Sequence, residues 1–214
     1  MMKLVFATGN SGKLREASEI LGEGFELASL AQVGVTEELP ETGNTLRANS
    51  LQKAKYLYDR IGCNCFADDT GLEVDALGGA PGVYTARYAG EDKDFNANMD
   101  KVLYELRVRE AEASMAAGLG LKLKPVSRKA RFKSVVTLIL DGNIHQFEGT
   151  LEGTIARGKS GNGGFGYDPI FIADEYPGMT LADISEEQKN EISHRGKALR
   201  AMAAWLAGPH EGNQ

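Results

Sequence analysis

Two adjacent carboxylates, Asp68 and Asp69, follow a short apolar run, Cys63 to Ala67, that reads as a buried strand. On that reading the strand ends at Asp68-Asp69-Thr70-Gly71 and sets both acids at a sheet edge, where α/β proteins build their sites. Neighbouring acids repel and burial adds a desolvation cost, so the pair needs a cation or hydrogen-bond donors. Glu41, in the acidic segment Thr36 to Asn44, offers a further oxygen. Magnesium takes oxygen ligands, keeps several waters and bridges to phosphates. A turn cap at Asp68-Asp69 and a solvated loop around Glu41 account for the same residues equally well, and residue types alone leave both readings open.

The loop Thr8-Gly9-Asn10-Ser11-Gly12-Lys13 stands between an apolar run, Leu4 to Ala7, and a helical pattern carried by Leu14, Ala17 and Leu21. Against the phosphate-loop pattern G-x-x-x-x-G-K-[ST], Ala7 replaces the first glycine and Leu14 the metal-binding hydroxyl. A full phosphate cradle is therefore excluded. A helix N-terminus with Lys13 beside it keeps the ingredients of an anion site, and an ordinary strand-to-helix turn keeps the same glycines. Gly161 to Gly166 matches the dinucleotide pattern G-x-G-x-x-G literally, but Tyr167-Asp168-Pro169 and a strand-like Ile170-Phe171-Ile172 follow it. That fingerprint must open a helix, so a nicotinamide cofactor is excluded. Ser193 has no triad partner and reads as a turn or cap residue. His145 reads as structural, and His210 falls in the C-terminal tail.

Positioning these residues requires an alternation of strands and helices. Phe25 to Leu30 reads as a second strand. A helix follows with Leu46, Leu51, Ala54 and Tyr58, capped by Asn44 or Thr45. Gly78-Gly79-Ala80-Pro81-Gly82 reads as a loop, and Met99, Val102, Leu103 and Leu106 as an amphipathic helix. Val135 to Leu140, the turn Asp141-Gly142 and Ile144 to Glu148 predict a hairpin, which makes the sheet mixed. Arg107 to Lys133 holds eight Lys/Arg and two Glu, and reads as a solvated helix-to-strand connection. Leu199, Met202 and Leu206 mark a C-terminal helix, with a loose tail after Gly208.

Composition bounds the rest. The 214 residues suit one α/β domain with its own core, and 42% hydrophobic with 25% charged residues is a globular balance. Twenty-four Lys/Arg against 30 Asp/Glu leave a net charge of −6, which argues against coating polymeric nucleic acid or a membrane by bulk charge. A locally basic pocket for a small anion remains compatible with it. Cys63 and Cys65 are poor disulfide partners and cannot build a four-ligand zinc site, so they read as reduced thiols in a core strand. No run approaches a membrane span and no signal-peptide pattern is present, which makes the cytoplasm the expected location.

Six short patterns occur in order: Thr8-Gly9-Asn10-x-Gly12-Lys13, Glu41-Thr42-Gly43, Ala67 to Leu72, Gly78 to Gly82, Gly163 to Pro169 and Ser193-His194-Arg195-Gly196. Together they resemble the inosine triphosphate pyrophosphatase family, the non-canonical purine NTP pyrophosphatases, from about Lys3 to the C-terminal helix. The Arg107–Lys133 segment is the least characteristic part. The resemblance implies one domain over residues 1–208 with a flexible tail at 209–214. It further implies an elongated mixed sheet flanked by helices, two lobes around a nucleotide cleft, and a homodimer.

The reaction so implied is attack of water on the α-phosphorus of ITP, dITP or XTP, releasing pyrophosphate and leaving a nucleoside monophosphate. Asp69 matches the proposed general base, and Glu41 with Asp69, joined by Asp68, would hold Mg²⁺. Thr8, Gly9, Asn10, Ser11, Gly12 and Lys13 match the triphosphate loop, with Lys53 adding a second cationic contact and Thr70 a hydroxyl contact. Phe165, Gly166, Tyr167 and Asp168 resemble the base-binding segment, and Lys189, His194 and Arg195 the remaining substrate contacts. A donor facing O6 would favour a keto purine over adenine. Two other readings compete: a Maf-like nucleotide pyrophosphatase with another base preference, and a nucleotide sensor without turnover. The Phe165–Asp168 and Ser193–Gly196 segments speak against the first, and Asp69, Glu41 and Lys13 together against the second.

Overall fold

The computed structural model describes residues 1–121 and 123–208; the expected tail at 209–214, with His210, lies outside the described residues. The fold is α/β with a mixed sheet, and the chain divides into two compact units. One comprises residues 1–70, 133–150 and those from 193 onward; the other comprises 71–132 and 151–192.

In the first unit, β1 (Met2–Phe6) lies parallel to β2 (Phe25–Ala28), with Met2 opposite Phe25, and parallel to β3 (Cys65–Val74), with Phe6 opposite Phe66. Segments of β5 (Lys129–Leu140) and β6 (Asn143–Ile155) complete the order β2-β1-β3-β5-β6. Side chains of a strand alternate between faces, and here both faces are covered. Leu4, Phe6 and Phe66 pack with Ala17 and Leu21 of α1 (Ser11–Leu21) and with Leu199 and Met202 of α5 (His194–Ala207). Val5, Ala7, Cys65 and Ala67 pack with Ala54 and Leu57 of α2 (Leu46–Ile61). The Phe6 and Phe66 rings stack at 4.3 Å. Two-sided burial explains why both strands read as unbroken apolar runs.

Local chemistry sets the ends of these elements. Asn10 caps α1 by accepting from Gly12 N at 2.8 Å and Lys13 N at 3.2 Å. Thr45 caps α2, and Ser193 caps α5 through Gly196 N at 2.9 Å. Asp141 and Gly142 both adopt positive φ, 49° and 80°, the requirement of a two-residue type I′ hairpin turn. His145 lies against Trp205, ring centroids 4.0 Å apart, as a structural histidine.

The second unit gathers the remaining halves of β3, β5 and β6 with β4 (Pro81–Gly82) and β7 (Phe171–Ala173). β4 pairs antiparallel with β3, and β7 antiparallel with β6. Met99, Val102, Leu103 and Leu106 of α3 (Phe95–Gly118) fill its core with Leu72, Val74, Leu151, Ile155 and Phe171. A seven-residue helix, α4 (Glu186–Ile192), closes the unit's sequence.

Three expectations need correction. β3 does not end at Asp68 but continues to Val74, because Leu72 and Val74 have a core of their own to enter. Part of the glycine-proline stretch is strand: Pro81 sits opposite Glu73 and Gly82 opposite Leu72. The basic segment from Arg107 is helix as far as Gly118 and strand again from Lys129, with only the residues between as connection. Its Arg128 is a staple: it donates to the Ile155 and Ala156 carbonyls and pairs with Glu110 at 2.8 Å. Of the two thiols, Cys65 is buried in β3 and Cys63 is exposed ahead of it. Among the described residues no helix is long and apolar enough to cross a membrane.

Candidate active site

Because Asp68 and Asp69 are consecutive in a strand, their side chains leave opposite faces of the sheet. Asp68 shares the face of Phe66, toward α1 and α5; Asp69 shares the face of Ala67, toward α2. Each face supplies its own cations. The pair is thus no double carboxylate but two separate ionic groups, both within the first unit.

On the α1/α5 face Asp68 is 2% exposed and receives Lys13 Nζ on both oxygens, at 3.0 and 2.9 Å. Arg195 Nε donates to Asp68 Oδ2 at 3.0 Å, while its Nη1 pairs with Glu16 at 2.8 Å. Glu16 also accepts from the Ser193 hydroxyl. Burial alone would raise the Asp68 carboxyl, but Lys13, Arg195 and Lys53 drive it far below the usual range. Burial likewise would lower Arg195, and Asp68 with Glu16 holds it above its ordinary value.

On the α2 face Lys53 is buried, 7% exposed, and its ammonium touches both Glu41 Oε1 at 2.5 Å and Asp69 Oδ1 at 3.1 Å. Burial opposes its charge, yet Asp69, Asp68 and Glu41 hold it protonated above the ordinary lysine value. Asp69 shifts up: desolvation, helped by Glu41, outweighs what Lys53 returns. A largely buried Asp69 and a solvent-exposed Glu41 thus meet at one ammonium. That donor set is suited to a hard cation. Among the described residues no group of three or more His, Cys, Asp and Glu gathers into a metal cage.

The loop leading into α1 presents Thr8, buried, whose hydroxyl accepts from Asn10 N at 3.1 Å. Gly9, Asn10, Ser11 and Gly12 are exposed. Two of the helix's leading N–H groups, on Gly12 and Lys13, are engaged by the Asn10 side chain. Thr70 donates to Ser134 at 3.2 Å, and His194 is the first residue of α5.

The second unit holds the other predicted residues together by themselves. Asp168, 4% exposed, accepts from Phe165 N at 2.8 Å and from the Lys189 ammonium. The same ammonium lies 4.7 Å from the centroid of the Phe165 ring. Phe165 is 57% exposed and so offers its ring to solvent, whereas Tyr167 is core, donating to the Thr85 carbonyl at 2.8 Å. Gly166 is half-buried beside it.

Sequence reasoning passed over Glu16, Asn49 and Ser50. Asn49 is 3% exposed and accepts from Gly43 N at 2.7 Å; Ser50 donates to the Ala67 carbonyl at 3.0 Å and accepts from the Thr137 hydroxyl at 2.7 Å. A signal existed, since Asn49, Ser50 and Lys53 interrupt the buried stripe between Leu46 and Leu57 at helical spacing. Polar residues on a buried helix face require partners.

The fold and site define an α/β protein with two ionic groups, one on each face of β3. Residues 4–205 match the Ham1 family, and the chain belongs to that family. A dITP/XTP pyrophosphatase of Flavobacterium psychrophilum is 45% identical over 94% of this chain and 97% of its own length. One of Porphyromonas gingivalis is 46% identical over 96% of this chain and 98% of its own. Among solved structures, the Ham1 protein of Staphylococcus aureus aligns with a TM-score of 0.81 at 35% identity, covering 95% of this chain and 97% of that one. A HAM1 protein from Coxiella burnetii aligns with a TM-score of 0.84 at 33% identity, covering 96% and 98%.

Proposed function

We propose that this chain hydrolyses ITP, dITP and XTP to the nucleoside monophosphate and pyrophosphate, and so clears them from the nucleotide pool. Relatives named dITP/XTP pyrophosphatase, similar over nearly their whole length, support the activity. The observation that carries the mechanism is the meeting of Glu41 and Asp69 on the Lys53 ammonium.

In this reading Glu41 and Asp69 hold Mg²⁺, which when bound screens the triphosphate and stabilises charge on the departing pyrophosphate. Lys13, fixed by Asp68, draws the polyphosphate to the Thr8–Lys13 loop, and Lys53 adds a second cation. Water attacks the α-phosphorus, its proton passes to an Asp69 carboxylate oxygen, and the bond from the α-phosphorus to the bridging oxygen breaks. Thr70 lends a hydroxyl, and His194 and Arg195 lie at the start of α5 for further contacts. Asp68, with both oxygens occupied by Lys13 and Arg195, serves to orient those cations. The exposed Phe165 ring stacks on the purine, with the Lys189 ammonium beside it as a donor, while Gly166, Tyr167 and Asp168 shape that segment from beneath.

Cytoplasmic placement, a homodimer and a domain spanning residues 1–208 belong to the same proposal, and sedimentation checks the dimer. Product analysis on ITP with Mg²⁺ tests the reaction. Inosine monophosphate with pyrophosphate is the expected pair. Diphosphate with phosphate, preference for a modified pyrimidine, or binding without turnover would each overturn it.

A further inference from the structure

The segment Glu41-Thr42-Gly43 has no regular structure of its own, yet its carboxylate must meet Asp69 from a different part of the chain. Three α2 side chains, at positions 49, 52 and 53, read it one after another. Lys53 takes Glu41. Gln52 exchanges two hydrogen bonds with Thr42, accepting from its N–H and donating to its hydroxyl, both at 2.9 Å. Asn49 accepts from Gly43 N at 2.7 Å. A primary amide has an acceptor and a donor end. With Oδ1 engaged by Gly43, the buried amide holds the segment just beyond Glu41 against α2.

We infer that Asn49 is a positioning residue for the cation site, its buried side-chain amide anchoring the Glu41 loop on α2 so that the Glu41 carboxylate is held where it meets Lys53 and Asp69. The inference rests on the magnesium reading given above. Asn49 is 3% exposed, so its amide is fixed by these partners with little competition from water. Gly43 belongs to the same device: a Cβ there would stand 2.8 Å from both Asn49 Oδ1 and Ala48 Cβ, too close to coexist with the hydrogen bond. The loop can approach α2 this closely only through a glycine. Outer partners of metal-binding carboxylates orient them without touching the ion, and their loss weakens metal affinity by about 10- to 100-fold.

The test uses the full chain and Mg²⁺ alone as probe, followed by calorimetry and by the magnesium-induced rise in Tm, together with the Mg²⁺ dependence of ITP hydrolysis. Asn49→Leu removes the amide, and Gly43→Ala disturbs the same bond from the loop side. Both are expected to weaken Mg²⁺ binding by about 10- to 100-fold, and to raise the Mg²⁺ needed for half-maximal turnover in parallel. Ser50→Ala separates positioning from mere loosening of α2, because Ser50 is buried and hydrogen-bonded on the same helix but contacts neither carboxylate. It should lower Tm and leave Mg²⁺ binding as in the wild type. Wild-type affinity in both Asn49→Leu and Gly43→Ala, or an equal loss in Ser50→Ala, would overturn the inference while hydrolysis by the wild type stands. A wild type that binds no Mg²⁺ would remove the magnesium reading and this inference with it.

Discussion

At the scale of single residues, the two faces of β3 divide the labour between neighbours that look equivalent in sequence. Asp69, desolvated and only partly offset by Lys53, keeps a carboxylate available for a proton and a cation. Asp69→Asn preserves shape and one oxygen while removing the base. We expect kcat on ITP to fall by about 10²- to 10⁴-fold, with ITP affinity by calorimetry little changed; undiminished turnover would take Asp69 out of the mechanism. Asp68→Asn should behave differently. It leaves Lys13 facing a neutral group and Arg195 with Glu16 alone, a partly uncompensated burial that costs up to about 3–5 kcal/mol in urea unfolding. The pH dependence has a definite sign. The folded carboxyl of Asp68 titrates far below its unfolded value, so its stabilisation is present above about pH 4 and lost as pH falls below that. The wild type should therefore lose stability below pH 4 more steeply than Asp68→Asn does, and parallel curves would contradict the assignment.

At the scale of elements, the hairpin and the helices α2 and α5 were legible because each has a local cause: the Asp141-Gly142 turn, the Thr45 and Ser193 caps, and the apolar spacing of Leu199, Met202 and Leu206. The continuation of β3 was not legible, since Asp68-Asp69-Thr70-Gly71 looks like a strand end until buried ion pairs are known to compensate it. The burial of Lys53, which the family resemblance had singled out as a cationic contact, was hidden for the same reason. A lysine reads as solvated surface, and only tertiary structure shows three carboxylates overcoming its burial. The family motifs pointed to Asp69, Glu41 and Lys13, whereas Asn49 and Glu16 act through other side chains and carry no chemistry of their own to notice. The local causes are testable. Gly142 has φ 80°, which a Cβ disfavours, so Gly142→Ala should destabilise by at least about 1 kcal/mol in chemical denaturation. Gly142→Asn, tolerant of that region, should lose less. Equal stability in all three proteins would mean that the turn does not set the hairpin.

At the scale of the whole molecule, each of the two units has its own apolar core, and the Glu41, Lys53 and Asp69 cluster belongs entirely to the first. An ion bound there acts on folding by mass action, because the unfolded chain cannot gather residues 41 and 69. At a hundred times its dissociation constant Mg²⁺ would stabilise the native state by about 2.7 kcal/mol. For a chain of this length that corresponds to a rise in Tm of about 5–10 °C. Strands β3, β5 and β6 each run on from one unit into the other, so the expectation is a single calorimetric transition that moves as a whole. Glu41→Gln should abolish the shift and Asp69→Asn should reduce it, and a chelator should remove turnover together with it. A magnesium-induced rise that survives undiminished in Glu41→Gln and Asp69→Asn would locate the ion elsewhere. Two transitions of which only one responds would show instead that the cluster stabilises its own unit and that the shared strands do not couple the cores.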